Sequence, residues 1–77
     1  MTDKAQPQDW EAKAEAAYTR MYDAQPRAAK TEYEDACLFL HRAIDEATRL
    51  GLEDEVVRLT KRRDHIMAVY NSQFRGL

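Results

Sequence analysis

The first residues that could do chemistry are Cys37 and His41. They lie four apart in a helical pattern, the spacing that two metal ligands on one helix face would use. A third candidate ligand, His65, falls on the following predicted helix. The three do not converge, because Cys37 belongs to an apolar stripe, His41 to its flank and His65 to an outward face. A closed zinc site takes four ligands, so we expect no metal and no cofactor.

The sequence contains no recognisable catalytic motif. There is no glycine-rich phosphate loop, no nucleophile elbow and no pair of carboxylates in a plausible cleft. A chain of 77 residues offers little concavity to enclose a substrate. We therefore expect a protein that is not an enzyme and name no catalytic residue.

A basic run in the third predicted helix is the main alternative site. Arg58, Lys61 and Arg62 share an outward face with His65, and such a face can contact phosphates. This pattern is compatible with a nucleic-acid-associated regulatory protein. The net charge is −2, however, and no aromatic residues interleave the basic ones. We therefore favour a solvated face and do not favour nucleic acid as the partner.

Arg63 stands apart from that run. It falls in the middle of the third helix's apolar stripe, where an unpaired charge would be costly. The other members of this predicted stripe are Leu52, Val56, Leu59, Ile66, Met67, Tyr70 and Phe74. The stem of Arg63 could pack while its head reaches solvent or an acid. Alternatively, it could form a polar layer that fixes register or partner choice in an assembly. The sequence leaves both interpretations open.

Length and composition set the remaining limits. A chain of 77 residues forms one domain at most, and a single core of this size is marginally stable unless something reinforces it. One cysteine excludes an internal disulfide and suits a reducing, cytoplasmic setting. No run of about 18 apolar residues indicates a membrane span, and residues 1–7 lack the apolar region of a secretory signal. Self-association is the remaining way to bury more apolar area.

The periodicity predicts an all-α fold. We expect a flexible polar leader over residues 1–8 and a single helical domain over 9–77, with helices at about 9–24, 27–50 and 53–74. Asp9 is the predicted cap of the first helix. The second helix is predicted to begin near Pro26, with a capping box at Thr31 as the alternative. Gly51 should end it in a Schellman motif, and acids open the third helix.

The short link at Gly51 makes the second and third helices an antiparallel hairpin, across which the first helix packs its alanine face. Pairing about that turn predicts exposed ion pairs of Asp45 with Arg58, and of Arg49 with the acidic first turn of the third helix.

The hairpin resembles known helical modules only in outline. Ala36, Leu40 and Ala43, with Tyr33 ahead and an amphipathic helix after Gly51, loosely resemble helices of tetratricopeptide repeats. No second unit follows at a period of about 34 residues, however, and a single unit forms no solenoid. Three-helix trafficking modules, such as the microtubule-interacting and transport domain, are similar in architecture alone. We carry no functional residue over from either family.

These observations predict a small three-helix protein that acts through its surfaces. We expect a non-enzymatic interaction or assembly module, most simply a homo-oligomer in which two hairpins join as a four-helix bundle. Its interface is predicted to comprise one charged and six apolar or aromatic residues: Phe39, Leu40, Ile44, Leu59, Arg63, Ile66 and Tyr70. The alternative places phosphates on Arg58, Lys61 and Arg62.

Overall fold

Three α-helices follow one another in the computed structural model, which describes residues 6–74. Helix α1 spans Pro7–Asp23, α2 spans Pro26–Arg49 and α3 spans Glu53–Val69, and a π-helical turn over Tyr70–Phe74 continues α3. The all-α, three-helix prediction is confirmed. Most of the predicted leader, residues 1–5, and the terminal Gly76 and Leu77 lie outside the described residues.

Helix α1 begins earlier than its periodicity predicted. Pro7 occupies the first turn, where its missing N–H leaves no hydrogen bond unmade, so residues 7 and 8 belong to the helix and not to a leader. Gln6 is the cap. Its backbone N–H donates to Oδ2 of Asp9 at 2.9 Å, so Asp9 closes the helix start from inside the first turn.

Both ends of α2 follow the predicted signals. The helix begins at Pro26, and Thr31 lies within it. At the other end Gly51 has a φ of +74°, and the N–H of Leu52 donates to the carbonyl of Ala47 at 2.8 Å. The N–H of Gly51 donates to the carbonyl of Thr48 at 3.1 Å, which completes the Schellman motif.

Helices α1 and α2 form the most extensive helix pair. Their contact faces are built from small side chains, since Ala14 and Ala17 of α1 and Ala36, Ala43 and Ala47 of α2 are fully buried. Alanine faces let two backbones approach closely. Trp10 lies at one end of the α1–α2 contact and stacks on Phe39, with ring centroids 6.0 Å apart.

Helix α3 contributes fewer core residues. Only Leu59 and Ile66 of α3 are fully buried, and with Met21 and Leu40 they are the largest such side chains. The predicted stripe of α3 was therefore too broad, because Leu52 and Met67 are exposed. The chain measures 41 × 27 × 12 Å, a flattened array with α2 in the middle. Within residues 6–74, no helix has the length and hydropathy needed to cross a membrane.

Candidate interaction surface

A groove runs along the junction of α2 and α3. It encloses about 400 Å³, and we call it the α2–α3 groove. Its walls combine aromatic, thiol, charged and thioether groups, from Tyr33, Glu34, Cys37 and His41 on α2 and from Arg63, Asp64 and Met67 on α3.

A second depression lies at the hairpin end, with a volume of about 360 Å³. We call it the turn-end depression, and it is lined by Thr48, Gly51, Leu52, Glu53, Val56 and Val57. Thr48 is seven residues from His41, and Val56 is seven from Arg63, so each pair returns to the same helix face. The α2–α3 groove and the turn-end depression therefore follow one side of the hairpin, which we call the open seam.

The open seam exists because α3 is rotated toward α1. The guanidinium of Arg58 donates to both carboxylate oxygens of Glu11, at 2.7 and 2.9 Å. One turn further on, Arg62 donates to both oxygens of Glu15 at 2.7 Å. These bidentate pairs join α1 to α3. Part of the apolar stripe of α3, including Met67 and the head of Arg63, remains outside the core.

This ladder of ion pairs changes the interpretation of the basic run. Arg58 also pairs with Glu55, and the Arg62 guanidinium lies 5.0 Å from the ring centroid of Tyr18. Two of the three candidate phosphate contacts, Arg58 and Arg62, are thus held by carboxylates of the same chain, while Lys61 is exposed. A phosphate would have to displace Glu11 and Glu15 to reach them.

The predicted pairs of Asp45 with Arg58, and of Arg49 with the start of α3, were wrong. Arg58 is held by Glu11, and Arg49 pairs with Glu46 within α2 at 2.6 Å. For Arg58 the cause is the position of α1, which lies close enough to α3 for Glu11 to bind the guanidinium. Arg49 instead finds a partner on its own helix, three residues earlier. Matching i, i+4 spacings of Glu11 with Glu15 and of Arg58 with Arg62 are the sequence signal that could have revealed this.

Arg63 lies at the groove, its side chain 29% exposed. Its only ion-pair partner among the described residues is the adjacent Asp64, at 3.2 Å from Nη2 and 3.4 Å from Nε. Asp64 is itself largely exposed. The aliphatic stem of Arg63 therefore packs against the chain, and its guanidinium reaches solvent and Asp64. Within a single chain, this agrees with the interpretation that the stem of Arg63 is buried while its charged head stays at the surface.

Cys37 is a partly buried thiol in the same groove. Burial raises its pKa, and its hydrogen bond with Tyr33 and the charge of Arg63 offset part of that rise. A thiol with a raised pKa is a poor nucleophile at neutral pH. Among the described residues, no three His, Cys, Asp or Glu side chains gather as a metal site requires. His65 lies against Tyr18 of α1, away from Cys37 and His41.

The predicted interface residues divide into two groups. Leu40, Leu59 and Ile66 are fully buried within the single chain, so in this fold they form its core and offer no area to a partner. The remaining four are partly exposed: Phe39, Ile44, Arg63 and Tyr70. Of these, Phe39 stacks on Trp10, and Tyr70 stacks on Tyr33 with centroids 4.0 Å apart.

Aromatic rings link α1, α2 and the π-helical turn at the end of the array far from Gly51. Tyr33 stacks on Tyr70, Tyr70 on Phe74, and Phe74 meets Tyr22 edge-on at 5.3 Å. Tyr22 in turn lies edge-on to Tyr18. This chain of rings fixes one end of the α2–α3 groove, since Tyr33 belongs to both.

Sequence reasoning missed Tyr33, Glu34 and Met67 as members of this surface. The sequence feature that could have identified them is the charged Arg63 within the apolar stripe of α3. A charge at such a position indicates that neighbouring helices of the same chain do not bury the whole stripe. Comparison with protein-family models, with curated proteins and with solved structures finds no significant match.

Proposed function

We propose that this protein is a small, non-enzymatic assembly module that associates with a second copy of itself through the open seam. The observation that carries the proposal is the part of the α3 stripe that the single chain leaves exposed or half-buried. Val56, Arg63 and Met67 recur at helical spacing. Met67 is exposed, Arg63 is partly exposed at the groove, and Val56 is partly buried against the edge of the core. An apolar stripe continued outside the core is typical of a helix that packs on a partner.

The size of the core supports the same proposal. In the part of the chain that the structure describes, four large side chains are fully buried, and the other fully buried core residues are alanines. A single core at this chain length supplies only about 3–5 kcal/mol. A second copy that covers the open seam would bury additional apolar surface. This burial would add to the small stability that the core of a single chain provides.

The dimensions of the molecule are compatible with a stable dimer. A broad face of 41 × 27 Å has a projected area of about 1,100 Å², and a standard interface takes about 800 Å² from each partner. One face can therefore supply a full interface without any rearrangement of the helices.

The alternative of a nucleic-acid-associated regulator has less support. It requires Arg58 and Arg62 to contact phosphates, and both guanidinium groups already satisfy two carboxylate oxygens each. Breaking these pairs would also remove the ties between α1 and α3. Lys61 is then the one candidate phosphate contact without a carboxylate partner within residues 6–74. A single lysine neutralises too few phosphates for nucleic-acid binding that depends on counterion release.

A pair of neighbouring substitutions tests the proposal. Met67→Glu places a charge in the α2–α3 groove, whereas Ala68→Glu places the same charge on an adjacent exposed position that lines neither the groove nor the turn-end depression. Sedimentation velocity should show self-association of the wild type and of Ala68→Glu, and its loss in Met67→Glu at unchanged helix content. Equal association of the two variants would contradict the proposal.

A further inference from the structure

We infer that the second copy docks about a twofold axis perpendicular to the helices, so that α2 of one chain lies antiparallel on α2 of the other. The contact is made by one outward row of side chains, which we call the α2 row: Lys30, Glu34, Leu38, His41 and Asp45. This inference rests on the proposed function, because it specifies the geometry of that association. It gives a role to charges that the fold of the single chain does not use.

The α2 row is a free surface of the single chain. Its members are spaced four, four, three and four residues apart, so they lie along one face of the helix. All five are exposed, and Glu34 and His41 also line the α2–α3 groove. Within residues 6–74, none of the charged or imidazole side chains of the row makes an ion pair. The row therefore presents unpaired charges along the open seam.

The order of charges along the α2 row is self-complementary. A twofold interface requires this, because residue i contacts residue j of the other copy and j contacts i. When two α2 helices lie antiparallel about a point just before Leu38, Glu34 falls opposite His41. Lys30 then falls opposite Asp45. Each carboxylate thus meets a lysine or an imidazole whose N–H can donate to it, and symmetry forms each pair twice.

The centre of this arrangement is apolar. Leu38 is exposed and lies next to the axis. The stacking of Tyr33 on Tyr70 sets these two residues level along the hairpin, so the exposed Met67, about one turn before Tyr70, also lies near the height of the axis. An apolar centre with a polar rim is the usual anatomy of a protein interface. Because Leu38 lies off the core, it contributes to association and not to the stability of the single chain.

Helix direction is compatible with the same axis. Rotation about an axis perpendicular to the helices reverses their direction and lays α2 on α2 and α3 on α3. Each helix is then antiparallel both to its neighbour in the same hairpin and to the helix that it faces in the other chain. This alternation is the common arrangement of a four-helix bundle.

An axis parallel to the helices matches the charges less well. It preserves height along the hairpin and lays α2 of one copy on α3 of the other. In the register set by the tyrosine stack, Asp45 would be level with Arg58, which Glu11 holds on the side of α3 that faces α1. Lys30 would be level with the π-helical turn, which carries no charged residue. The charge pattern therefore selects the perpendicular axis.

Charge reversal at the two ends of the α2 row tests this arrangement. Lys30→Glu and Asp45→Lys each set like charges against each other twice in the dimer. We expect each to weaken self-association about tenfold at low salt, measured by sedimentation equilibrium. An equimolar mixture of the two variants restores both attractive pairs, as does the double variant that exchanges the charges within one chain.

Lys61→Glu is the matched control. It makes the same change of charge at an exposed position of α3 that lines neither the α2–α3 groove nor the turn-end depression, so it should associate as the wild type does. Salt at about 1 M screens exposed charges and should remove most of the difference between the variants and the wild type. Circular dichroism verifies helix content. An acid near the start of α2 and a base near its end suit the helix dipole, so both single variants should fold.

The outcomes separate the inference from the function on which it rests. Loss of association in the single variants, with recovery in the mixture or the double variant, supports the antiparallel arrangement. A wild type that dimerises while both single variants associate as well as Lys61→Glu overturns the arrangement and leaves the assembly function standing. Loss in the single variants without any recovery also overturns it, because the residues then do not act on each other. A wild type that stays monomeric overturns both.

Discussion

Replacing Leu40 by alanine removes the central large side chain of α2 from the core, where among residues 6–74 only three other side chains of comparable size are fully buried. Leu40 is fully buried, and its neighbours in the core are mostly alanines that cannot collapse into the space. A buried Leu→Ala change costs about 3–5 kcal/mol, of which part reflects the cavity left behind. A core of this size supplies about 3–5 kcal/mol in total, so we predict that Leu40→Ala is largely unfolded near room temperature.

The matched control is Leu38→Ala, the same substitution two residues away on the same helix. Leu38 is 48% exposed and off the core-facing stripe, so its truncation should change the free energy of unfolding by less than about 0.5 kcal/mol. Thermal unfolding followed by circular dichroism distinguishes the two. For a domain of this size, each kcal/mol of lost stability lowers Tm by about 4 °C or more. Leu40→Ala should therefore lower Tm by at least about 12 °C. Similar Tm values for the two variants would refute the assignment of the core.

Three further perturbations address other parts of the account. Gly51→Ala forces a side chain into a φ of +74°, where open space leaves strain as the only penalty, and urea unfolding should show a loss of about 1 kcal/mol. The Arg58 hydrogen bond holds the pKa of Glu11 below its usual 4.5, so stability from this pair is full above that value and is lost as pH falls through the lowered pKa. Tm measured from neutral to acid pH should therefore fall less steeply in Glu11→Gln than in the wild type. Burial, and secondarily the hydrogen bond with Tyr22, raise the pKa of Tyr18 to about 12. Ultraviolet titration of the phenols should show an ionisation step near pH 12 that Tyr18→Phe removes.

The local elements could be predicted from the sequence because their signals are local. Gly51, the acids that follow it and the proline at position 26 fix helix ends through backbone geometry, and the structure agrees at each of these points. Asp9 also acts at the start of α1, although as a partner of Gln6 and not as the cap itself.

The rotation of α3 could not be predicted in the same way. Periodicity identifies an apolar stripe but not which half of it a neighbouring helix covers. That choice depends on the long-range pairs of Arg58 and Arg62 with α1, separated by 47 residues in the sequence. The predicted stripe therefore included Leu52 and Met67, which are exposed, and placed Leu40, Leu59 and Ile66 in an interface, although the single chain buries them.

The π-helical turn was also outside the reach of pattern reasoning. A helical repeat continued to Phe74 predicts a uniform α-helix, yet Tyr70–Phe74 widen into a π-helix. Ring contacts with Tyr33 and Tyr22 accompany this change of geometry. Such contacts join residues of three different elements, so no window of sequence around Tyr70 contains them.

The most direct test of the central claim is the mass of the wild-type chain in solution as a function of concentration. Sedimentation equilibrium over about 5–500 μM should show the 9.0 kDa monomer giving way to twice that mass, with Tm rising over the same range because the dimer stabilises the folded state. A mass of 9.0 kDa at every concentration, with Tm independent of concentration, would contradict assembly through the open seam.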